Sequence, residues 1–209
     1  MSDVAKLIAT MADVERIEAT PLEDQYAYQS TYEMFADAAD QYGAGRALIF
    51  LPGGSADEEP VIYTHRELFG RITQAANLFH RLGIDSRDVV AYVLPNLPQT
   101  HFALWGGEAA GIVCPVNPML EAGHIIEVLR AANARVLVTV GPGAGGELWE
   151  KMAAVIEQVP SLETILQVRL GQYLDPAFSA AGFEKGSLAG RAVLDFDEEM
   201  AKEPGDQLV

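Results

Sequence analysis

Val89-Val90-Ala91-Tyr92-Val93-Leu94, followed by Pro95-Asn96-Leu97-Pro98 and, further on, Ile112-Val113-Cys114, decides the fold of this chain. The first run is apolar at odd and even positions alike, so the strand it forms needs cover on both faces. Pro98 fits the first turn of a helix, where a missing N–H costs nothing. Phe102, Trp105 and Ala109 then recur at helical spacing and are expected to face inward. Ile112-Val113-Cys114 reads as a second strand, ended by Pro115 and Pro118. Strand, helix and strand in this order make a βαβ unit, and such units build parallel sheets.

The same alternation continues in both directions. Upstream, Thr64 and Glu67 in Tyr63-Thr64-His65-Arg66-Glu67 have the spacing of a capping box. Leu68, Ile72, Ala75, Phe79 and Leu82 follow at helical spacing, and Gly83 supplies a left-handed stop. Downstream, a helix presents Ile125, Ile126 and Leu129, and Arg135 to Val140 reads as a strand. A further helix uses Leu148, Met152, Val155 and Val159, and Thr164 to Leu170 forms the next strand. Before the capped helix, the pattern gives a helix from Thr31 to Tyr42 and a strand from Ala47 to Leu51. A Gly- and acid-rich loop then leads to a hairpin partner at Val61 to Tyr63. After Gly171 the periodicity fades, with one helix expected between Val193 and Lys202. The expected class is α/β, a mainly parallel sheet flanked by helices. The expected organisation is an N-terminal extension over 1–30, a partial α/β domain over 31–170 and an acidic, weakly structured linker over 171–209.

Composition narrows the function classes. The 209 residues are 49% hydrophobic, which excludes a wholly disordered chain. The formal charge of −16 is uneven: residues 1–60 carry −9, residues 61–170 carry −2 and residues 171–209 carry −5. No basic patch is present, which argues against nucleic acid as a partner. A lone cysteine, Cys114, excludes an internal disulfide framework. No apolar run reaches the ~20 residues of a membrane span, and Met1 to Met11 lacks a signal-peptide core. A cytoplasmic location is therefore expected.

Chemical motifs are sparse. Gly141-Pro142-Gly143-Ala144-Gly145-Gly146 fits G-x-G-x-x-G between an expected strand and helix, the setting of a dinucleotide loop. Against that reading, Pro142 removes an amide donor, the motif follows the third strong strand, and Glu163 falls at the start of the next strand rather than its end. His65, His80, His101 and His124 show no metal-ligand spacing. Cys114 in an apolar strand reads as a small core residue. Glu58-Glu59 and Glu198-Glu199 read as solvated charges, and no G-x-S-x-G or Walker-type loop occurs. The residues alone name no catalytic group and no metal site, and leave any cofactor-binding residue unknown.

A family resemblance adds to this. Tyr63-Thr64-His65-Arg66-Glu67-Leu68, Ala75-Ala76-Asn77-Leu78-Phe79, Leu82-Gly83-Ile84 and the strand Val89–Leu94 with Pro95-Asn96 come first. Ala109-Ala110-Gly111-Ile112-Val113, Pro115-Val116-Asn117-Pro118 and Ala134-Arg135-Val136-Leu137-Val138 follow in order. In sequence and spacing these are similar to the N-terminal part of the AMP-forming acyl-CoA synthetases, the adenylate-forming AMP-dependent synthetase and ligase family that includes luciferases. The resemblance implies part of that family's large N-terminal domain. It also implies chemistry in which a carboxylate, often of a fatty or other hydrophobic acid, attacks ATP to give an acyl-adenylate and pyrophosphate, after which the thiol of CoA displaces AMP. ATP, Mg and CoA are the cofactors it implies for the full-length enzyme, and none is expected for this stretch. The family's Thr/Ser/Gly-rich phosphate loop ending in Pro-Lys has no counterpart here, and the lysines Lys6, Lys151, Lys185 and Lys202 lie in no such loop. The expectation is an N-terminal fragment, inactive alone, whose partner is a missing C-terminal remainder, a complementary subunit or a second copy. The alternatives are a non-catalytic interaction module derived from such a synthetase and a dinucleotide-binding domain using Gly141 to Gly146.

Overall fold

The computed structural model of the chain describes residues 8–25, 28–55, 57–143, 146–173 and 186–209. Two short helices, α1 (Met11–Glu18) and α2 (Leu22–Gln25), precede α3 (Thr31–Tyr42), and a hairpin of β1 (Arg46–Phe50) and β2 (Val61–Thr64) follows. The alternating part runs α4 (His65–Arg81), β3 (Val89–Val93), α5 (Pro98–Ala110), β4 (Ile112–Pro115), α6 (Ala122–Ala131), β5 (Ala134–Val140), α7 (Gly146–Gln158) and β6 (Thr164–Val168). A 3-10 turn (Leu170–Tyr173), β7 (Gly186–Leu188), β8 (Arg191–Asp195) and α8 (Phe196–Met200) complete the described elements. The main sheet has the order β4-β3-β5-β6-β8-β7, and every pairing is parallel except β7 on β8. The expected α/β class and parallel sheet are both present.

The two-faced apolar strand is the reason for this layering. Val90 packs into one core with α4, α5 and α8, while Val89, Ala91 and Val93 pack into a second with α6 and α7. β5 and β6 divide the same way, Val136, Val138, Leu166 and Val168 on one side and Leu137 and Ile165 on the other. Five parallel strands therefore lie between two helical layers, an arrangement that strands apolar on both faces require.

Helix ends follow local chemistry. The Thr64 side chain accepts from Glu67 N–H at 3.2 Å while Glu67 accepts from Thr64 N–H at 2.8 Å, so the expected capping box starts α4. At the other end Gly83 has φ +80°, its N–H donates to His80 O at 2.9 Å, and Ile84 N–H donates to Phe79 O at 3.0 Å. These two bonds are the Schellman stop, which satisfies otherwise orphaned carbonyls.

The structure revises several expectations. Phe102 is buried, but Trp105 and Ala109 are only partly buried, because Trp105 turns toward α3 and meets Phe35 at 5.1 Å. The true inward stripe of α5 is Phe102, Ala103, Gly106, Gly107 and Ala110. The Ile112 strand sits at the sheet edge and leaves Ile112 49% exposed. The helix expected between Val193 and Lys202 begins at Phe196, because Arg191–Asp195 pairs with β6 as a strand. Glu58 is no idle surface charge, since its carboxylate accepts from Gly53 N–H at 2.6 Å and Ser55 N–H at 3.0 Å and ties the hairpin loop. Glu199 is buried between Arg81 and Lys202.

α5 lies tight against α4 at Gly106, where a Cβ would stand 2.5 Å from Ala75 Cβ and 3.0 Å from Ile72 O. Gly106→Ala is expected to lower stability by about 1–3 kcal/mol through overpacking. Gly123→Ala, in α6 with nothing within 4 Å of the new Cβ, is expected to raise it by up to about 1 kcal/mol. Urea midpoints of the two variants check this, and an unchanged midpoint for Gly106→Ala contradicts the close contact.

Candidate functional site

The carboxyl ends of the parallel strands carry the loops that can form a site. β3 lies between β4 and β5, so the chain passes from β3 to one side and then to the other. The helix after β3 belongs to one layer and the helix after β5 to the opposite one. In open α/β sheets such a reversal opens a crevice outside the strand ends.

A concavity lies at this edge. A groove of about 760 Å³ runs between the hairpin (Leu48 to Leu51, then Pro52 to Gly54), the segment Pro95 to Pro98 after β3, and Leu170 and Tyr173 after β6. Its size falls within the usual range for small-molecule sites. Tyr173 forms one wall, edge-on to Phe50 with ring centroids 5.1 Å apart. Pro98 begins α5 at this spot, Leu97 N–H donates to Thr100 Oγ1 at 3.3 Å, and Thr100 Oγ1 donates to Pro95 O at 2.7 Å. That local knot sets the first turn of α5, which carries His101 to the groove. His101 is exposed as a residue, yet burial of its ring against the groove pushes its pKa below the ordinary value of 6.5.

Behind Tyr173 lies a smaller polar recess of about 320 Å³, lined by Tyr63, Arg71, Gln99 and Asp197. Gln99 is 1% exposed and joins its walls. Its Nε2 donates to Asp197 Oδ2 at 3.0 Å, and its Oε1 accepts from the Tyr173 hydroxyl at 2.9 Å. Burial raises the Tyr173 phenol far above its ordinary range, with Tyr63 and Asp197 adding to the effect, and burial likewise raises Tyr63. Both phenols therefore stay protonated at any ordinary pH and act as neutral hydrogen-bonding groups.

A row of buried polar side chains crosses the strand ends on the other face. Thr139, Gln167 and Asp195 are register neighbours on β5, β6 and β8 and are each at most 1% exposed. Thr139 Oγ1 donates to Val93 O at 3.1 Å. Asp195 accepts from Glu198 N–H at 2.8 Å and pairs with Arg169 at 2.6 Å, while burial pushes its carboxyl above the usual range. Neither amide atom of Gln167 has a hydrogen-bond partner among the described residues.

The residues singled out from sequence are scattered across this framework. Gly141 follows β5, and its N–H donates to Val168 O at 3.0 Å, while Gly146 N–H donates to Gly143 O at 3.0 Å. Both amides are thus spent within the protein; Ala144 and Gly145 lie outside the described residues. Glu163 sits at the opposite, amino edge of the sheet, paired with Arg135 at 2.8 Å. The length of β6, roughly 16 Å at a strand's rise, separates it from the glycine loop, so the two do not meet as a dinucleotide site requires. His65 packs against Tyr42 at 5.5 Å, His80 faces Val209 O at 3.1 Å, and His124 is exposed on α6. Cys114 is half-buried on the edge strand, and burial raises its thiol pKa, which favours the unreactive protonated form. Among the described residues no group of three or more His, Cys, Asp or Glu is placed to hold a metal ion. No helix of the described residues is long and apolar enough to cross a membrane. Gln99, Tyr173 and Gln167 carry no signal in sequence that separates them from surface residues.

The comparisons with known proteins agree with this architecture. The family profile described as "AMP-binding enzyme" matches residues 35–204. The chain belongs to the AMP-binding enzyme family. It is 33% identical over 161 residues to a marinolic acid–CoA ligase of Pseudoalteromonas sp. (strain SANK 73390), covering 77% of this chain and 25% of that protein. It is 35% identical over 112 residues to a crotonobetaine/carnitine–CoA ligase of Escherichia coli, covering 53% of this chain and 21% of that one. The chain thus spans about a quarter of the length of the curated relatives it matches. In fold it is similar to the anthranilate CoA ligase AuaEII, solved in complex with anthranoyl-AMP, with TM-score 0.68 and 17% identity over 91% of this chain and 31% of that one. It is also similar to the acetoacetyl-CoA synthetase from Streptomyces lividans, with TM-score 0.65 and 22% identity over 81% of this chain and 24% of that one.

The lowered pKa of His101 gives a direct test of the groove's apolar character. The folded ring binds its proton less readily than the unfolded one, so its contribution to stability is present above pH 6.5 and falls as acid protonates the folded state. Proton NMR is expected to show His101 titrating below 6.5, and a midpoint at or above that value contradicts an apolar setting.

Proposed function

We propose that this chain supplies the amino-terminal α/β unit of an ATP-dependent carboxylic acid–CoA ligase. The observation that carries the proposal is the 33% identity over 161 residues to a ligase named for joining an acid to CoA, within a family match over residues 35–204. The two relatives and the two solved neighbours described above are named for CoA ligation or CoA thioesters, with five different acyl groups in those names. The reaction type is therefore better supported than the identity of the acid. The apolar groove favours an acid with an apolar body.

The described residues do not fit the nucleotide half of the chemistry. Activating a carboxylate on ATP develops negative charge on the leaving pyrophosphate, and catalysis of that kind needs positive groups and free donors aimed at it. The amides of Gly141 and Gly146 already donate to Val168 O and Gly143 O. The Lys151 ammonium donates to Pro118 O at 2.6 Å and Leu120 O at 2.9 Å, and Lys202 pairs with Glu199. No step is assigned to a residue of this chain. Its role in the proposal is structural, and ATP, Mg and CoA are handled in a complete enzyme whose remaining part, on the same polypeptide or a complementary subunit, works in the cytoplasm.

ATP–pyrophosphate exchange with a panel of carboxylic acids tests this. The 209-residue chain alone is expected to give no acid-dependent exchange, and clear exchange with any acid of the panel overturns the assignment of a purely structural role.

A further inference from the structure

One buried polar side chain stands apart from the groove and the sheet ends. Asn77, on α4, is 2% exposed, and every polar atom of its side chain is engaged with the main chain of residues 204–209. Its Nδ2 donates to Pro204 O at 2.9 Å and to Gln207 O at 2.8 Å, and its Oδ1 accepts from Val209 N–H at 2.9 Å. Residues of the same helix extend the grip. Gln74 Nε2 donates to Glu203 O at 3.2 Å, and His80 Nδ1 lies 3.1 Å from Val209 O. Gly205 passes close over Gly70, where a Cβ on Gly205 would stand 3.1 Å from Gly70 O.

The chemistry of these contacts is one-sided. The bonds from Gln74, Asn77 and His80 all reach backbone atoms of the segment, while Gln207, Leu208 and Val209 are exposed residues. The spacing 74, 77, 80 places the three side chains along one stripe of α4, the geometry of neighbours three residues apart. Arg81, one residue on, anchors the beginning of the segment through Glu199 and Glu203. A carboxamide is suited to the central place because it offers two donors and one acceptor in a fixed plane.

We propose that Asn77 is a positioning residue that sets the main-chain path of residues 203–209, reading the backbone and not its side chains. The stripe on α4 is a track for an extended segment of this same chain. Its register is fixed by the two carbonyls and one amide that a single carboxamide can bond at once. This proposal does not depend on the acid–CoA ligase reading, because it concerns only the path of the chain.

Hydrogen exchange of the 209-residue chain, followed by NMR, tests it. In the wild type the Val209 amide and the Asn77 side-chain amide protons exchange more slowly than the side-chain amide of exposed Gln207. Asn77→Leu, of similar size, lowers protection at Val209 by at least about fivefold, the loss of one hydrogen bond's net worth, while amides of Val90 and Val138 in the central strands keep theirs. Gln207→Ala and Leu208→Ala leave Val209 protection unchanged. If Asn77→Leu does not fold, the slow side-chain amide of Asn77 in the wild type still decides the matter. Asn77 amide protons exchanging as fast as those of Gln207, or loss of Val209 protection in Gln207→Ala and Leu208→Ala, overturns the proposal.

Discussion

The contact on which the rest of the structure depends is the meeting of α4 and α5. At Gly106 the two helices come so close that a methyl group would strike Ala75 Cβ, the Ala76 backbone and the Ile72 carbonyl. The next residue, Gly107, presses on Val113 of the edge strand, and Gly111 brings the end of α5 against the carbonyls of Asp85 and Asp88. Small residues at these points let one helix lie at once against its neighbour and against the sheet. Because α5 is fixed there, its first turn brings Pro98 and His101 to the groove and Gln99 to the recess, and α4 turns Asn77 toward residues 204–209. Packing density in protein interiors leaves little freedom to absorb a change at such a contact.

Charge is arranged around this packed layer at both edges of the sheet. At the amino edge Arg135 holds Asp88 at 2.6 Å and Glu163 at 2.8 Å and donates to Gly83 O at 2.9 Å, joining the starts of β3, β5 and β6. At the carboxyl edge Arg169 pairs with Asp195 and Glu198. Burial opposes ionisation of Glu199, yet Lys202 and Arg81 outweigh it and hold the carboxyl below its usual range. Part of the acidity of residues 171–209 thus serves to fasten α8 and the following segment to α4. It is not merely a solvated surface.

The fold was legible where local chemistry and tertiary packing ask for the same residue. The capping box at Thr64 and Glu67, the left-handed Gly83 and the two-faced strand Val89–Val93 each carry their instruction within a few residues, and each appears as expected. Trp105 was misplaced because helical spacing marks a stripe without saying which neighbour covers it, and α3 takes that place. The strand at Arg191–Asp195 was missed because its polar ends mask it, while its burial comes from pairing with a strand some thirty residues earlier. The groove was not legible at all. It is assembled from three separated segments, and Gln99 and Tyr173 meet only after the chain has folded.

Family membership, the parallel sheet and the groove support the proposed reading, in which this chain is a scaffold for acid–CoA ligation and the nucleotide is handled by the rest of a complete enzyme. Calorimetric titration of the 209-residue chain with ATP and Mg²⁺ tests that division of labour most directly. No saturable heat is expected into the millimolar range of nucleotide. Stoichiometric binding with a micromolar dissociation constant would contradict this division, because the chain itself would then hold the phosphate-binding groups.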